Sequence, residues 1–488
     1  MQALQDYIQK LMAETGLSKS ALAEKLGYRS KTSLDRIMQD NTREASLRKF
    51  KQSVLAAFPL SAEGRRELNE AVQIGIYGMR QYLLNRQMWL FVRGDRPESA
   101  PEPSICDALT GEAISLRGKY SGVSDLNITV LNCQYVPSLF SALHALLERE
   151  GVSVNHYVFV DHDSVRTMAT VNVLMRVFYQ KGYDCLVLNA LRRAEDAAET
   201  GMNQADLAIF EYTDADGCSC EDIITFQSST QGLFRRHAGA PGIARKMLGL
   251  GTDEYYSIKL SYFDYDALND YVKYSADYAA LEENRAIWKI KPDLCVDQIP
   301  VHIMEAALLR GPMMESGGSE FFEVLSALRE VYRKRVTNTF TKKKHAYTIF
   351  KRRAFQEFAK TGRTTDHFWA MAPYTVDERI EILETLLDQQ RNNPYIHMHF
   401  LKDDDDLRDI EIACYEDTGL LLLEADTDYH LEQGHSEVLI THAELLRLFR
   451  EFFMRVLIRE YVLPESETCN FLESLLTTLK VGMAGGAR

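Results

Sequence analysis

Hydrophobic and polar residues alternate with helical periodicity along the first ninety residues of the chain. An amphipathic helix is predicted over 2–14, ending before Gly16. Small polar residues that cap helices precede the next apolar stretches, at Ser18, Ser30, Thr42 and Ser61. The pattern therefore predicts four or five short helices, the last of them beginning a long helical stretch over 61–90.

Two of these helices form a pair around Gly27. Their apolar positions at helical spacing are Leu22, Ala23, Leu26, Leu34, Ile37 and Met38. Because helical residues three or four apart share a face, Thr32, Ser33 and Arg36 fall on the opposite face of the second helix. Two short helices joined by a tight, glycine-containing turn are typical of a helix-turn-helix motif.

The second helix of the pair carries the side chains that DNA reading requires. Arginine bonds guanine through two donors, serine and threonine adapt to several base edges, and flanking cations contact phosphates. The residues predicted to bind DNA are Lys19, Arg29, Ser30, Lys31, Thr32, Ser33, Arg36, Arg43 and Lys49. The alternative is that the two helices form an ordinary helical hairpin within a larger bundle.

The stretch "LSKSALAEKLGY…TSLDRIM" resembles the lambda-repressor-like, XRE-family helix-turn-helix domain over about residues 1–58. The resemblance implies an all-α domain that binds double-stranded DNA. One departure concerns the turn: Leu34 lies one residue farther from Gly27 than the corresponding apolar residue does in that family. The turn is therefore predicted to be one residue longer, which leaves open which side chain leads into the groove.

The rest of the chain alternates between strand-like and helix-like segments. Runs rich in β-branched and aromatic residues occur at 127–132 and 156–161, with amphipathic segments between and after them. This βαβ succession predicts a mainly parallel sheet. Residues 240–330 are predicted to be mainly helical, and three further strands are predicted beyond residue 394.

The predicted fold class is multidomain, with an all-α N-terminal helix-turn-helix domain, an α/β body with a mainly parallel sheet, and a smaller C-terminal α/β unit. The predicted domains are a DNA-binding domain at 1–60, a helical connector and linker at 61–104, an α/β effector-sensing domain at 105–330, and a basic segment plus C-terminal α/β domain with terminal helices at 331–488.

Charge is distributed unevenly along a chain whose net charge is −14. Such a balance argues against general nucleic-acid binding by the whole molecule. Residues 25–51 and 333–363 are nevertheless strongly basic, and the acidic run 403–409 is a candidate counter-charge for the second of them. The second basic segment is predicted to be a solvated face, an anion site or a further nucleic-acid surface.

Candidate effector-binding or anion-binding residues in the body are Lys342, Lys343, Lys344, Lys351, Arg352, Arg353, Asp161 and His162. Asp161 and His162 follow a predicted strand, where ligands bind in open α/β sheets. The alternative is that Asp163 or Ser164 merely caps the next helix. His397 and His399 share a strand face, but without a third ligand at suitable spacing we predict no metal site.

Several function classes are excluded or disfavoured by what the sequence lacks. There is no dinucleotide-binding or P-loop glycine motif, no HExxH and no CxxC pair, so neither a cofactor nor catalytic residues are predicted. No run approaches 18 apolar residues and no signal-peptide pattern is present, which predicts a cytoplasmic protein that does not contact membranes.

The predicted function is therefore a DNA-binding transcriptional regulator, not an enzyme. Its body would sense an unknown small-molecule or peptide effector, and it would act as a homodimer. Two alternatives remain. One is an enzyme that acts on a phosphate-containing substrate and uses the helix-turn-helix for targeting or autoregulation. The other is a non-catalytic protein-interaction module.

Overall fold

The chain divides into two compact units, Met1–Trp89 and Leu90–Arg488. The computed structural model describes residues 2–38, 43–93, 120, 123–132, 139, 143, 145–147, 149–160, 163–174, 182–189, 206–214, 216–226, 235–239, 256–263, 276, 279–294, 296–311, 319–341, 343–364, 371–404, 407, 410–416, 419–424, 435–440 and 443–486. Within these residues, no helix is long and apolar enough to cross a membrane.

The first unit is helical, as predicted. Its helices are α1 (Gln2–Thr15), α2 (Lys19–Lys25), α3 (Lys31–Ile37), α4 (Glu44–Ala57) and α5 (Ala62–Tyr77), and α6 (Met79–Arg93) continues past its end. The Ser18 and Ser61 side chains cap α2 and α5 by accepting backbone N–H groups at 3.3 and 3.1 Å. Arg43 takes the N-cap position of α4, and Thr42 lies outside the described residues.

Helices α1 to α5 share one hydrophobic core. Its buried members are Leu4, Tyr7, Ile8, Leu11, Leu22, Ala23, Leu26, Leu34, Ile37, Leu47, Phe50, Val54, Phe58, Leu68, Ala71 and Val72. The last three belong to α5, so a helix that the sequence assigned to a connector packs into the same core as the predicted helix-turn-helix. Burial of apolar side chains from every helix explains why such short helices are stable together.

The second unit is built on one sheet. Its strands are β1 (Ser124–Leu131), β2 (Val152–Val160), β3 (Tyr183–Asn189), β4 (Asp206–Thr213), β5 (Ser219–Phe226), β6 (Arg235–Gly239), β7 (Tyr256–Phe263), β8 (Ile287–Lys291), β9 (Ala346–Phe350), β10 (Ile396–Phe400), β11 (Ile410–Tyr415), β12 (Gly419–Glu424) and β13 (His435–Ile440). Among the described strands, their order across the sheet is β10-β9-β8-β11-β12-β13-β7-β3-β2-β1-β4-β5-β6.

Helices accompany these strands along the chain. They are α7 (Ser164–Leu174), α8 (Val301–Leu309), α9 (Ser319–Phe340), α10 (Arg352–Thr361), α11 (Val376–Asn392), α12 (Ala443–Phe452), which runs into a π-helical stretch Phe453–Tyr461, and α13 (Glu465–Gly486). At the start of α11, Thr375 and Glu378 form a reciprocal capping box.

The prediction of a mainly parallel sheet is wrong, because the sheet is mixed. Parallel pairing joins β1 to β2, β2 to β3, β8 to β9 and β9 to β10. The other neighbouring pairs are antiparallel. Short connections such as those from β4 to β5 and from β11 to β12 leave no room for the crossover that a parallel pair requires.

The sheet contains the same strand arrangement twice. Strands β1 to β6 lie in the order 3-2-1-4-5-6, and β8 to β13 repeat this order as 10-9-8-11-12-13. In each half the first three strands are parallel and the next three are antiparallel. Strand β7 pairs with both β3 and β13 and so joins the halves. The sheet of the body is therefore built from two copies of one six-strand arrangement, joined by β7.

Two further predictions about the body need correction. Residues 240–330 contain the strands β7 and β8, which were not predicted, in addition to helical segments. The three strands predicted beyond residue 394 are present as β10, β11 and β12, but they belong to the common sheet and do not form a sheet of their own. Because β8 pairs with both β9 and β11, the C-terminal strands are part of the same sheet as the rest of the body.

Gly362 offers a test of close backbone packing in this body. It ends α10 with a φ of +72°, and an added Cβ would lie 2.2 Å from the carbonyl oxygen of Tyr374. Gly217, at φ +79°, has nothing within 4 Å of such a Cβ. Gly217→Ala should cost only the left-handed strain, about 1–2 kcal/mol. We expect Gly362→Ala to lower the free energy of unfolding more, as measured by urea denaturation. Equal losses would contradict the close approach.

Candidate functional site

The turn between α2 and α3 is organised by Gly27. Its φ is +77°, and its N–H donates to the Glu24 carbonyl at 2.9 Å, while the N–H of Tyr28 donates to the Ala23 carbonyl at 2.8 Å. These two bonds form a Schellman motif, which ends a helix with a left-handed residue. Glycine adopts that conformation without the steric cost that a Cβ imposes. Tyr28 then packs against the core, so the chain direction into α3 is set.

Helix α3 has one buried face and one exposed face. Leu34 is fully buried and Ile37 is 5% exposed. Lys31, Thr32 and Arg36 are exposed, whereas Ser33 is half-buried. The structure therefore separates apolar and polar residues as the periodicity predicts, apart from the partial burial of Ser33.

The turn between α2 and α3 leaves Leu34, the residue that anchors α3, in the core. Residues 26–30 connect the two helices, and Ser30 occupies the N-cap position in an extended conformation. Its hydroxyl makes no capping bond to the backbone; it lies 3.5 Å from the Ser33 hydroxyl. Leu34 is nevertheless fully buried, so the apolar face of α3 lies in the core.

The flanking cations predicted to bind DNA fall into two groups. Lys19 forms an ion pair with Asp35 and so connects α2 to α3. Arg29, Arg43 and Lys49 are exposed. Lys19 therefore supports the relative placement of the two helices, and the other three cations are accessible to solvent.

In the second basic segment, 333–363, residues at the start of α10 are bonded to residues of the acidic run 403–409. The Asp404 carboxylate accepts the backbone N–H groups of Arg352 and Arg353 at 2.8 and 2.7 Å, at the start of α10. A carboxylate there complements the positive end of the helix dipole. Buried Lys351 donates to the Leu407 carbonyl at 2.7 Å. The acidic run thus supplies counter-charge within the chain, and an anion would have to displace Asp404 from this helix end.

The structure describes the remaining candidates in the body only in part. Lys343 and Lys344 are exposed in the loop before β9, while Lys342, Asp161 and His162 lie outside the described residues. Asp163 accepts the backbone N–H of Val165 at 3.0 Å, next to the start of α7. The capping alternative is therefore confirmed for Asp163.

A buried ionic cluster, formed by Glu282, Lys289, Asp297 and Arg335, was not predicted from the sequence. The Lys289 ammonium lies 3.0 Å from Glu282 and 3.1 Å from Asp297. Arg335 donates two hydrogen bonds to Glu282, at 3.1 and 3.0 Å. Each of the four residues is at most 9% exposed. Burial of charges is unfavourable unless they are paired and hydrogen-bonded, as they are in this cluster.

The electrostatics of the cluster favour the charged forms. Burial by itself raises the pKa of Glu282, but the neighbouring Arg335 and Lys289 outweigh it and leave that pKa below its ordinary value. A signal was present in the sequence, since Lys289 and Lys291 alternate with apolar residues in "IWKIK". Both lysines project from the same face of β8 and are buried. A lysine on the buried face of a strand indicates a buried carboxylate partner.

A third group consists of aromatic and imidazole rings on β8, β9 and β10. Tyr347 stacks on His397 with ring centroids 4.4 Å apart, and His345 lies 2.9 Å from His397 between ring nitrogens. Burial lowers the pKa of His399 to about 4, and the described residues provide no hydrogen-bond partner for either of its ring nitrogens. No group of three or more metal-ligating side chains occurs among the residues that the structure describes.

Comparisons with known proteins give little further guidance. No protein-family model and no curated protein matches the chain. Among solved structures, it is similar to a phosphatidylserine synthase from Haemophilus influenzae Rd KW20, with 9% identity, a TM-score of 0.26, and coverage of 78% of this chain and 92% of the other. It is also similar to a polyphosphate kinase from Porphyromonas gingivalis, with 10% identity, a TM-score of 0.20, and coverage of 73% of this chain and 46% of the other.

These matches correct one prediction. Both proteins are enzymes by name, so the prediction that this chain is not an enzyme is contradicted, and we withdraw it. TM-scores this low establish neither a shared fold nor a substrate or mechanism for this chain.

Proposed function

We propose that the first unit, Met1–Trp89, binds double-stranded DNA and inserts α3 into the major groove. The observation that carries the proposal is the division of α3 into an inner face anchored by Leu34 and Ile37 and an exposed face that presents Thr32 and Arg36. A recognition helix needs both faces, because the first fixes it on the protein and the second contacts base edges.

Residues around α3 supply two further requirements of DNA binding, a fixed placement of the helix and positive charge for the phosphates. The Gly27 turn and the Lys19–Asp35 ion pair hold α2 and α3 together before DNA arrives. Exposed Arg29, Arg43 and Lys49 provide charge for phosphate contacts, which give affinity without sequence preference. A single helix reads only a few base pairs, so we further propose that two copies of the chain bind two half-sites separated by about 34 Å, one turn of B-DNA.

This DNA binding fits two of the functions predicted from the sequence. It serves a regulator whose body senses an effector, and it equally serves an enzyme that its N-terminal unit targets to DNA. The proposal concerns the first unit and holds whether or not the body is catalytic.

Salt dependence tests the proposal on the full chain. The logarithm of the binding constant for DNA upstream of the gene should fall linearly with the logarithm of salt concentration, since phosphate contacts release counterions. Lys31→Ala removes one exposed cation beside the N-terminus of α3 and should reduce the magnitude of that slope by about 0.9. Arg65→Ala, which removes an exposed cation from α5, is the matched control. A slope that Lys31→Ala leaves unchanged would argue against DNA contact at this end of α3.

A further inference from the structure

The ring cluster, defined as Trp288, Tyr347, His397, His345 and Tyr395, lies where three parallel strands run side by side. Trp288 is the register partner of Tyr347, which is in turn the partner of His397. These three rings are nearly parallel, with interplanar angles of 14° and 12°. His345 and Tyr395 add rings from the segments that precede β9 and β10.

Two imidazoles in this cluster direct nitrogen atoms at each other. His345 Nδ1 and His397 Nε2 are 2.9 Å apart, a hydrogen-bonding distance that requires one nitrogen to carry a proton and the other to accept it. The lone-pair directions of both nitrogens therefore converge on the space between the rings. His345 is exposed and His397 is half-buried, so solvent reaches the pair.

Backbone contacts fix the main chain that carries both imidazoles. The carbonyl of His345 accepts the N–H of Ile287 at 2.9 Å, and the N–H of the next residue, Ala346, donates to the Tyr395 carbonyl at 2.8 Å. His397 lies within β10 and is paired with β9. The Tyr347 ring covers one face of the His397 ring. The pair is thus positioned by a strand ladder and by stacking, which is the preorganisation that a metal site requires.

We propose that His345 and His397 bind a divalent transition-metal ion, with zinc, nickel and copper as the class of ion. Imidazole nitrogen is a preferred ligand of these ions. With metal–nitrogen bonds of about 2.0–2.1 Å and tetrahedral geometry, two ligand nitrogens stand roughly 3.3 Å apart. The observed pair needs to open by a few tenths of an ångström and to turn so that both lone pairs face the ion, a movement that the exposed His345 side chain can make.

The ion takes the place of the shared proton. A coordinating imidazole must be neutral, so the proton between the two rings is released when the ion binds. Because the described residues contain no third ligand in place, water or a group from a bound molecule completes the coordination. An open position of this kind is what distinguishes a reactive or ligand-binding metal site from a closed structural one.

Calorimetric titration of the full chain with zinc chloride tests the proposal. We expect one zinc per chain at this site, lost in His345→Ala and in His397→Ala and retained in His302→Ala, an exposed histidine on α8. Thermal melting of the metal-free variants checks their folding, and His345→Ala in the loop provides the test if His397→Ala disturbs β10.

Copper serves as a second probe because its electron paramagnetic resonance spectrum reports the ligand atoms directly. Bound Cu²⁺ should show coupling to two imidazole nitrogens, reduced to one nitrogen in either single variant. Zinc binding that persists unchanged in both variants would show that the ion binds elsewhere, for instance at thiols, and would overturn the proposal. Absence of any binding to the wild-type chain would overturn it as well.

Discussion

Replacing Glu282 with glutamine is expected to lower the free energy of unfolding of the body by about 3–5 kcal/mol, the usual effect of removing one partner from a buried ion pair. Glu282 is 1% exposed and bonds both Lys289 and Arg335. Glutamine keeps the size of the side chain but leaves the two cations with Asp297 as the remaining carboxylate of the cluster. Two buried positive charges then share one negative charge in a medium that screens poorly.

The adjacent residue provides a matched control. Glu283 is exposed, and it pairs with Lys334 at 3.3 Å, where both side chains are about half exposed. Because exposed ion pairs contribute about 0–1 kcal/mol, Glu283→Gln should change stability little. Chemical denaturation of the two variants and the wild type gives the comparison. Equal small effects would show that the ionic cluster does not stabilise the fold.

The pH dependence of stability gives a second readout of the same substitution. The pKa of Glu282 is lowered in the folded protein, so below about pH 4.3, the ordinary glutamate value, the unfolded state binds more protons. The stabilisation from Glu282 is present above that pH and is lost as pH falls through the lowered folded pKa. Because the Glu282→Gln variant lacks this ionisable carboxyl group, its free energy of unfolding should fall less steeply with acid than that of the wild type.

Arg36→Ala is expected to weaken specific DNA binding by about 1–3 kcal/mol and to flatten the preference for one base pair, as loss of a two-pronged arginine–guanine contact does. Arg36 lies on the exposed face of α3, one residue before buried Ile37. Lysine at this position keeps the charge but lacks the planar fork, so Arg36→Lys should retain non-specific affinity and lose the base preference.

Competition among DNA duplexes that differ by single base pairs measures this effect. The wild type should discriminate at one position where Arg36→Ala does not, and the two proteins should compete equally at the other positions. If the variant keeps the full pattern of discrimination, Arg36 does not contact a base and another side chain leads into the groove.

The first unit illustrates what a periodic sequence can reveal. Ser18, Gly27 and Leu34 act within a few residues of their own position, as a cap, a left-handed helix end and a core anchor, so local patterns predicted them. The binding of DNA by this unit remains a proposal.

The body shows where such reasoning fails. The direction of each strand pair depends on partners far along the chain, as in the pairing of β7 with β13 and of β3 with β7, and no local pattern encodes it. The ionic cluster likewise joins Glu282 to Arg335, which is 53 residues away. Lys289 and Lys291 hinted at a buried charge, but their partners could not be identified until the sheet and α9 were in place.

The central claim, that α3 reads DNA, is tested most directly by one fluorescence-anisotropy titration at fixed salt concentration. DNA from upstream of the gene is titrated with the full-length wild type, with the Lys31→Ala/Arg36→Ala double variant, and with Arg65→Ala. We expect the double variant to bind at least about tenfold more weakly than the wild type, a loss of about 1.4 kcal/mol or more, and Arg65→Ala to bind as the wild type does. Equal affinities for all three proteins would contradict the account.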